Sequence, residues 1–90
     1  MDSLLSLQLF ARVVETGSFH GAASRMNLTQ QAISRSIKTL EAELGAQLLE
    51  RKPRDRRRVG PTGFGRLLLP RAQALVAEMR ALRDQFDSLI

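Results

Sequence analysis

The sequence predicts a mainly α-helical fold that contains one short β-hairpin. Three observations support this prediction. Apolar residues recur at helical spacing in separate segments, residues typical of helix ends stand between those segments, and a short segment rich in bases and turn residues precedes the last one. With 90 residues, 43% of them hydrophobic, the chain is long enough for one small domain, or for one domain with an appended helix.

The first two predicted helices are short and meet at Gly17 and Ser18. A glycine is typical of the residue that ends a helix, and a serine of the residue that caps the next one. The apolar positions of the first helix are Leu7, Phe10, Val13 and Val14. Those of the second helix are Phe19, Ala22, Ala23 and Met26. The two small alanines allow another helix to approach closely, so we expect a tight helical pair.

The third predicted helix is capped by Thr29 after a tight turn and ends at Gly45. At about 100° per residue, its two faces differ in chemistry. The apolar face, which we expect to pack on the earlier helices, consists of Ile33, Ile37, Leu40 and Leu44. The opposite face consists of Gln31, Ser34, Arg35 and Lys38. The second set offers only hydrogen-bond donors and acceptors, which predicts a polar partner.

A basic segment follows, and it holds the whole excess charge of the chain. Residues 51–58 carry six bases and one acid, whereas the chain as a whole has a net charge of +5. We predict that this segment connects two short strands, 47–51 and 58–61. Such concentrated charge is typical of a protein that binds a polyanion. The alternative is a solvated and mobile run of charges.

The last predicted helix begins after Thr62 and carries a heptad seam. Its apolar positions, three and four residues apart in turn, are Leu68, Ala72, Leu75, Met79, Leu82, Phe86 and Leu89. Because no other predicted element is long enough to cover this seam, a second copy of the chain is its simplest partner. The alternatives are that the seam packs on its own domain or on residues outside this sequence.

The composition argues against several classes of function. The chain has no cysteine, so it forms neither a disulfide framework nor a thiolate metal site. The one histidine, His20, has no nearby cysteine or carboxylate, which predicts no metal site. No nucleophile–base arrangement is visible, and we expect no enzyme and no cofactor. We also expect no signal peptide and no membrane span.

Three helices followed by a basic hairpin predict a winged helix-turn-helix at 1–61, with a long linker or dimerisation helix at 62–90. In such motifs the second helix of the turn lies in the DNA major groove. Gln31 and Arg35 are then the candidates for reading bases, since Gln pairs with adenine and Arg with guanine. Ser34 and Lys38 are expected to contact phosphates, which fix register without reading sequence.

Further DNA contacts are expected at the helix starts and in the wing. In the basic segment, Arg51, Lys52 and Arg54 flank the tip and are the first candidates to enter a minor groove or follow phosphates. The other wing bases, 56–58, are expected to supply long-range attraction only. The complete predicted set of DNA-binding residues is Ser18, Thr29, Gln30, Gln31, Ser34, Arg35, Lys38, Arg51, Lys52 and Arg54.

These residues resemble the N-terminal DNA-binding domain of the LysR-type transcriptional regulators. The resemblance covers almost the whole chain and rests on Gly17-Ser18-Phe19, Ala22-Ala23, Thr29-Gln30, Ser34-Arg35 and the run from Leu40 to Gly45. It implies a cytoplasmic bacterial regulator that binds dyad-symmetric promoter DNA as a homodimer, with 29–44 as recognition helix. It also implies that the helices 62–90 of two protomers pair, usually antiparallel.

The same resemblance implies features outside this sequence. Family members carry a C-terminal effector-binding domain of two α/β lobes, which takes a small-molecule coinducer. That domain is absent here, so we expect the chain to be part of a longer protein. The full-length protein is expected to be a dimer or a tetramer, and RNA polymerase is a further candidate partner.

Two departures from the family pattern bear on DNA recognition. Gln31 stands where the family commonly has proline, which adds donors and acceptors at the DNA face. The loop 52–58 is longer and more cationic than usual, which predicts stronger non-specific binding. Two other interpretations remain open: a protein-interaction module whose long helix docks on a different chain, and a winged-helix regulator of the MarR type.

Overall fold

The computed structural model describes residues 3–89. In chain order, its elements are α1 (Ser3–Thr16), α2 (Phe19–Met26), α3 (Gln30–Leu44), β1 (Leu49–Arg51), β2 (Val59–Pro61) and α4 (Gly63–Leu89). This order confirms the predicted fold class, with three helices, a two-stranded antiparallel wing and a long final helix. Met1, Asp2 and Ile90, which belong to the predicted ranges 1–61 and 62–90, lie outside the described residues.

The helix ends follow the predicted local chemistry. Ser18 and Thr29 each cap a helix, because their side-chain oxygens accept the backbone amide three residues further on, at 2.8 and 3.1 Å. Gly17 and Gly45 have φ values of 76° and 69°, in the left-handed region that glycine adopts without steric cost. Asn27 ends α2 in the same conformation, at φ 56°. These residues place α2 and α3 as a helix-turn-helix.

The core lies between α1, α2 and α3 and is completed by the wing. Phe10, Val13 and Ile33 are fully buried at its centre. The prediction that Leu44 packs there is wrong, because 52% of its surface is exposed. The chain turns away from the helices after Leu44, and Leu48, which is 1% exposed, enters the core in its place.

The wing is shorter than predicted at both strands. Residues 49–51 pair with 59–61 in antiparallel register, so the predicted ranges 47–51 and 58–61 each lose residues at their start. The carboxylate of Glu41 explains part of this difference, because it accepts the backbone amide of Leu48 at 2.6 Å. A side chain of α3 thus binds an amide that the longer strand would use.

The start of α4 is anchored on the segment before β1. The Thr62 hydroxyl donates to the carbonyl of Gln47 and accepts the amide of Gly65 at 3.1 Å, which confirms Thr62 as the cap of α4. Gly65 lies directly against the backbone of Leu48, where a Cβ would overlap the carbonyl oxygen. This close approach sets the direction in which α4 leaves the wing.

α4 runs alongside α1 in the opposite direction and then extends past it. Glu15, near the end of α1, lies by Gln73, whereas Leu5, near its start, lies by Arg83. The last turns of α4 continue beyond this contact, which contributes to the elongated dimensions of 50 × 26 × 21 Å.

The heptad seam is divided by this packing. Ala72 is fully buried in the core of its own chain, and Leu68 packs against the same core. This corrects the assignment of Ala72 to a surface between copies, since a side chain with no exposed area cannot contact a second chain. The remaining five positions are between 39 and 78% exposed, and they are Leu75, Met79, Leu82, Phe86 and Leu89.

Candidate nucleic-acid interface

An open groove separates the helix-turn-helix from the wing, and we call it the wing groove. One wall is formed by the N-terminal ends of α2 and α3, and its residues are Ser18, Phe19, His20, Gln30, Gln31 and Ser34. The other wall is formed by the wing, and its residues are Arg51, Asp55, Arg57 and Arg58. The groove therefore brings two helix N-termini and three arginines to one place.

The polar face of α3 is positioned as the helical periodicity predicts. Gln31 and Ser34 line the wing groove, and Ser34 also lines a second groove between α3 and β1. Lys38 follows one turn later along this second groove. Arg35 is exposed on the same helix, and its carbonyl accepts the hydroxyl of Thr39 at 3.0 Å. Three of the four residues thus form one stripe that faces the wing.

Arg51 holds the wing against α2. Its guanidinium carbon lies 5.7 Å from the centroid of the Phe19 ring, which is cation–π distance. The same guanidinium donates to the carbonyl of Arg56 at 2.7 Å. Arg51 therefore has partners within the chain, and its predicted contact with DNA stays a prediction.

The tip of the wing is folded into a hydrogen-bonded turn. The carbonyl of Asp55 accepts the amide of Arg58 at 3.0 Å, and its carboxylate accepts the amide of Arg57 at 3.1 Å. The amide of Lys52 donates to the carbonyl of Arg58 at 2.9 Å, which closes the loop across its base. These bonds organise the tip of the loop as a turn, while the side chain of Arg57 is 94% exposed, so the alternative of a solvated run of charges stays open.

This turn brings two further arginines to the wing groove, Arg57 and Arg58. Whether they act on DNA by long-range attraction only, as the sequence predicts, stays a prediction. The guanidinium of Arg58 reaches Gly17, whose carbonyl also accepts the amide of Val59 at 2.9 Å. The available signal was Asp55, because aspartate favours the first position of a turn and would have brought the following residues back toward the helices.

Two other predicted wing residues, Lys52 and Arg54, are not among those that line the wing groove. The side chain of Lys52 folds across Gly60 of β2, where a Cβ would come within 2.8 Å of its ammonium nitrogen. Arg54 is exposed in the loop. The wing thus presents its bases in more than one direction.

His20 is a groove residue that the sequence analysis missed. It lies in the first turn of α2, and its Nδ1 is 3.4 Å from the side-chain nitrogen of Gln30 in the first turn of α3. A lone histidine is not expected to form a metal site, but its ring nitrogens can still bind a polar ligand. Its position two residues after the cap Ser18 was the signal that places it at a helix N-terminus.

The charge of the wing groove suits a phosphate backbone. Helix N-termini carry partial positive charge, and neither α2 nor α3 has an acid in its first turn. The acid among the groove residues, Asp55, lies 3.5 Å from the guanidinium of Arg57. Within residues 3–89, no group of three or more potential ligands could hold a metal ion. No helix in that part of the chain is long and apolar enough to cross a membrane.

A helix-turn-helix with a basic wing and a positive groove between them defines the class of winged-helix proteins that bind nucleic acid. The family model described as "Bacterial regulatory helix-turn-helix protein, lysR family" matches residues 4–66. The chain therefore belongs to the LysR family of bacterial DNA-binding transcription regulators.

Relatives and solved structures agree with this assignment. The chain is 44% identical over 89 residues to the SDS degradation transcriptional activation protein of a Pseudomonas species. The matched segment covers 99% of this chain and 28% of the relative. The BenM DBD/benA site 1 DNA complex superimposes with a TM-score of 0.84 at 34% identity, over 100% of both chains. Vibrio fischeri DarR in complex with DNA gives a TM-score of 0.80 at 30% identity, over 99% of this chain and 29% of that one.

Proposed function

We propose that the chain reads promoter DNA through α3 in the major groove, while the wing groove receives one phosphate backbone. The observation that carries the proposal is the wing groove, where Gln31 and Ser34 of α3 face three arginines of the wing. Sequence-specific binding of a duplex needs both kinds of contact. Contacts to base edges determine the sequence preference, and contacts to phosphates fix the position of the protein on the DNA.

In this arrangement, base reading belongs to Gln31 and Arg35, which are both exposed on the N-terminal half of α3. Each side chain can form two hydrogen bonds with one base, which is worth about 1–3 kcal/mol of discrimination. Phosphate contacts belong to the residues around them, namely Ser18, Thr29, Gln30, Ser34 and Lys38. Arg54, at the exposed tip, is the candidate for a minor groove or for the flanking backbone.

Substitution of the base-reading residues tests this proposal. We expect Gln31→Ala and Arg35→Ala to weaken binding to a selected duplex about 5- to 100-fold, and binding to random duplex far less, because the lost contacts are to bases. Fluorescence anisotropy at fixed salt measures both affinities. Arg83→Ala is the matched control. Arg83 belongs to α4 and lies beside Leu5 at the start of α1, and it is not among the residues of the wing groove. Equal losses on both duplexes contradict base reading.

We further propose that two copies pair through the exposed part of the α4 seam. The support is the exposure of Leu82, Phe86 and Leu89 along a helix that extends past α1. A homodimer presents two recognition helices, which suits a dyad-symmetric site.

For the whole protein, we propose a cytoplasmic regulator rather than an enzyme. Support comes from the family to which the chain belongs. The chain spans 28% of the length of its Pseudomonas relative. A small-molecule coinducer, assembly into a tetramer and contact with RNA polymerase are proposed for the protein as a whole.

A further inference from the structure

Asp55 is the one acid in a loop of bases, at a place where a phosphate backbone is proposed to pass. Residues 51–58 carry six bases and this single acid. Its side chain lines the wing groove and is 43% exposed. A carboxylate at this position repels phosphate and lowers the positive charge of the groove. By charge alone, Asp55 would weaken the binding of DNA.

The contacts of Asp55 show what it contributes in return. Its carbonyl and its carboxylate accept the amides of Arg58 and Arg57, at 3.0 and 3.1 Å. The carboxylate also lies 3.5 Å from the guanidinium of Arg57. Two backbone amides and one side chain of the following residues are therefore arranged around this single residue.

The turn determines where the following arginines point. The backbone around Arg58 is held by two hydrogen bonds. The carbonyl of Arg58 accepts the amide of Lys52, and the amide of Val59 donates to the carbonyl of Gly17, each at 2.9 Å. From this position, Arg57 and Arg58 face the first turns of α2 and α3 across the wing groove. The side chain of Arg57 is 94% exposed, and the contact that directs it is the ion pair with Asp55. Without the turn, binding would have to order the two arginines at a larger entropic cost.

We infer that Asp55 is a positioning residue for DNA binding, which holds Arg57 and Arg58 toward the phosphate strand that the first turns of α2 and α3 contact. This inference rests on the proposed function, because it names how one wall of the proposed groove is built. Asp55 itself makes no contact with DNA.

Two substitutions separate the turn from the charge. Asp55→Asn keeps a side-chain oxygen that can accept the amide of Arg57 and removes the negative charge, since asparagine also favours this turn position. Asp55→Ala removes both. We expect Asp55→Asn to bind the selected duplex at least as tightly as wild type. We expect Asp55→Ala to bind about fivefold more weakly than Asp55→Asn, the factor that corresponds to one net hydrogen bond.

The salt dependence of binding gives a readout that loss of stability does not produce. Each phosphate contact contributes about 0.9 to the slope of log affinity against log salt. We expect the slope of Asp55→Ala to be shallower than that of Asp55→Asn by about one to two such contacts. Thermal unfolding of the 90-residue chain verifies that each variant is folded.

The same pair of substitutions in an Arg57→Ala, Arg58→Ala background completes the test. There we expect Asp55→Ala and Asp55→Asn to bind equally, because the side chains that the turn directs are gone. Equal affinity of the two variants in the wild-type background, or a fivefold difference that persists without the arginines, overturns the inference. Failure of the wild-type chain to select any duplex is a different result, and it contradicts the proposed function itself.

Discussion

At the scale of single residues, side chains position the proposed DNA-binding surface by hydrogen bonds to backbone groups. Ser18 and Thr29 accept amides three residues away, and both roles could be predicted because the partners are local. Glu41 instead reaches the amides of Leu48 and Leu49, at 2.6 and 3.4 Å. No local pattern in the sequence indicates this contact, since it depends on how the end of α3 meets the wing.

Gly65 provides a residue-scale prediction, because the backbone of Leu48 occupies the space of its side chain. We expect Gly65→Ala to destabilise the chain by about 1–3 kcal/mol, the usual cost of forcing an extra methyl group into a packed site. Gly63→Ala is the matched control in the same turn of α4. A Cβ there meets only the end of Arg66, at 3.9 Å, so we expect no destabilisation.

Urea unfolding of the two glycine variants, followed by circular dichroism, measures this difference. A similar free energy of unfolding for both would show that α4 does not approach Leu48 as the structure describes.

At the scale of elements, the wing shows where sequence reasoning stops. The two strands, their order and the charge of the loop could be predicted from residues 47–61, because turn residues, alternation and composition are local properties. The sequence alone did not predict which arginines of the loop face the helices. Arg57 and Arg58 face α2 and α3 because the Asp55 turn and the bond from Val59 to Gly17 set the orientation of the loop. The turn is local, and its aspartate was a readable signal. The bond from Val59 to Gly17 forms only in the folded hairpin, and no local pattern indicates it.

The wing therefore predicts unequal roles for neighbouring arginines. We expect Arg57→Ala to weaken binding to selected and random duplexes alike and to lower the salt slope by about 0.9, as for the loss of one phosphate contact. Arg54→Ala is expected to act in the same way. Arg56→Ala removes an equal charge and is the control, because Arg56 is not among the residues that line the wing groove.

Titrations of these arginine variants with DNA at several salt concentrations give the affinity of each variant and its salt slope. If Arg56→Ala lowers the slope as much as Arg57→Ala, the loop acts only by its total charge. A loss confined to the selected duplex would instead assign the substituted arginine to base reading.

At the scale of the whole molecule, α4 serves both the domain and the proposed dimer. The heptad spacing predicted an apolar seam, and the seam is present. The spacing could not show that α1 and the core cover its first part, so that Ala72 is fully buried. The prediction for Leu44 was wrong for a related reason. Periodicity identifies the apolar face of α3, but it does not show where the elements that cover this face end.

The exposed end of α4 predicts a self-association that depends on apolar contact. Phe86 is 60% exposed, and we expect Phe86→Glu to make the chain monomeric at concentrations where wild type sediments as a dimer, since a buried charge without a partner is costly. Ser88→Glu places the same charge two residues further on, outside the seam, and should leave the dimer intact.

Sedimentation velocity distinguishes the two possible partners of this surface. A wild-type chain that is monomeric throughout, and associates only with a different protein, would favour the alternative of a protein-interaction module. Dissociation by both glutamate variants would show that charge anywhere on this end of α4 is sufficient, and that the seam is not the contact.

Sequence-specific DNA binding is the central claim, and selection of duplexes from a random pool by the purified chain tests it most directly. We predict enrichment of one motif with dyad symmetry, whose half-sites are separated by about 10 base pairs or a multiple of this, because two recognition helices meet one face of the duplex. Recovery of the pool without any enriched motif, at affinities that depend only on salt, would contradict the account.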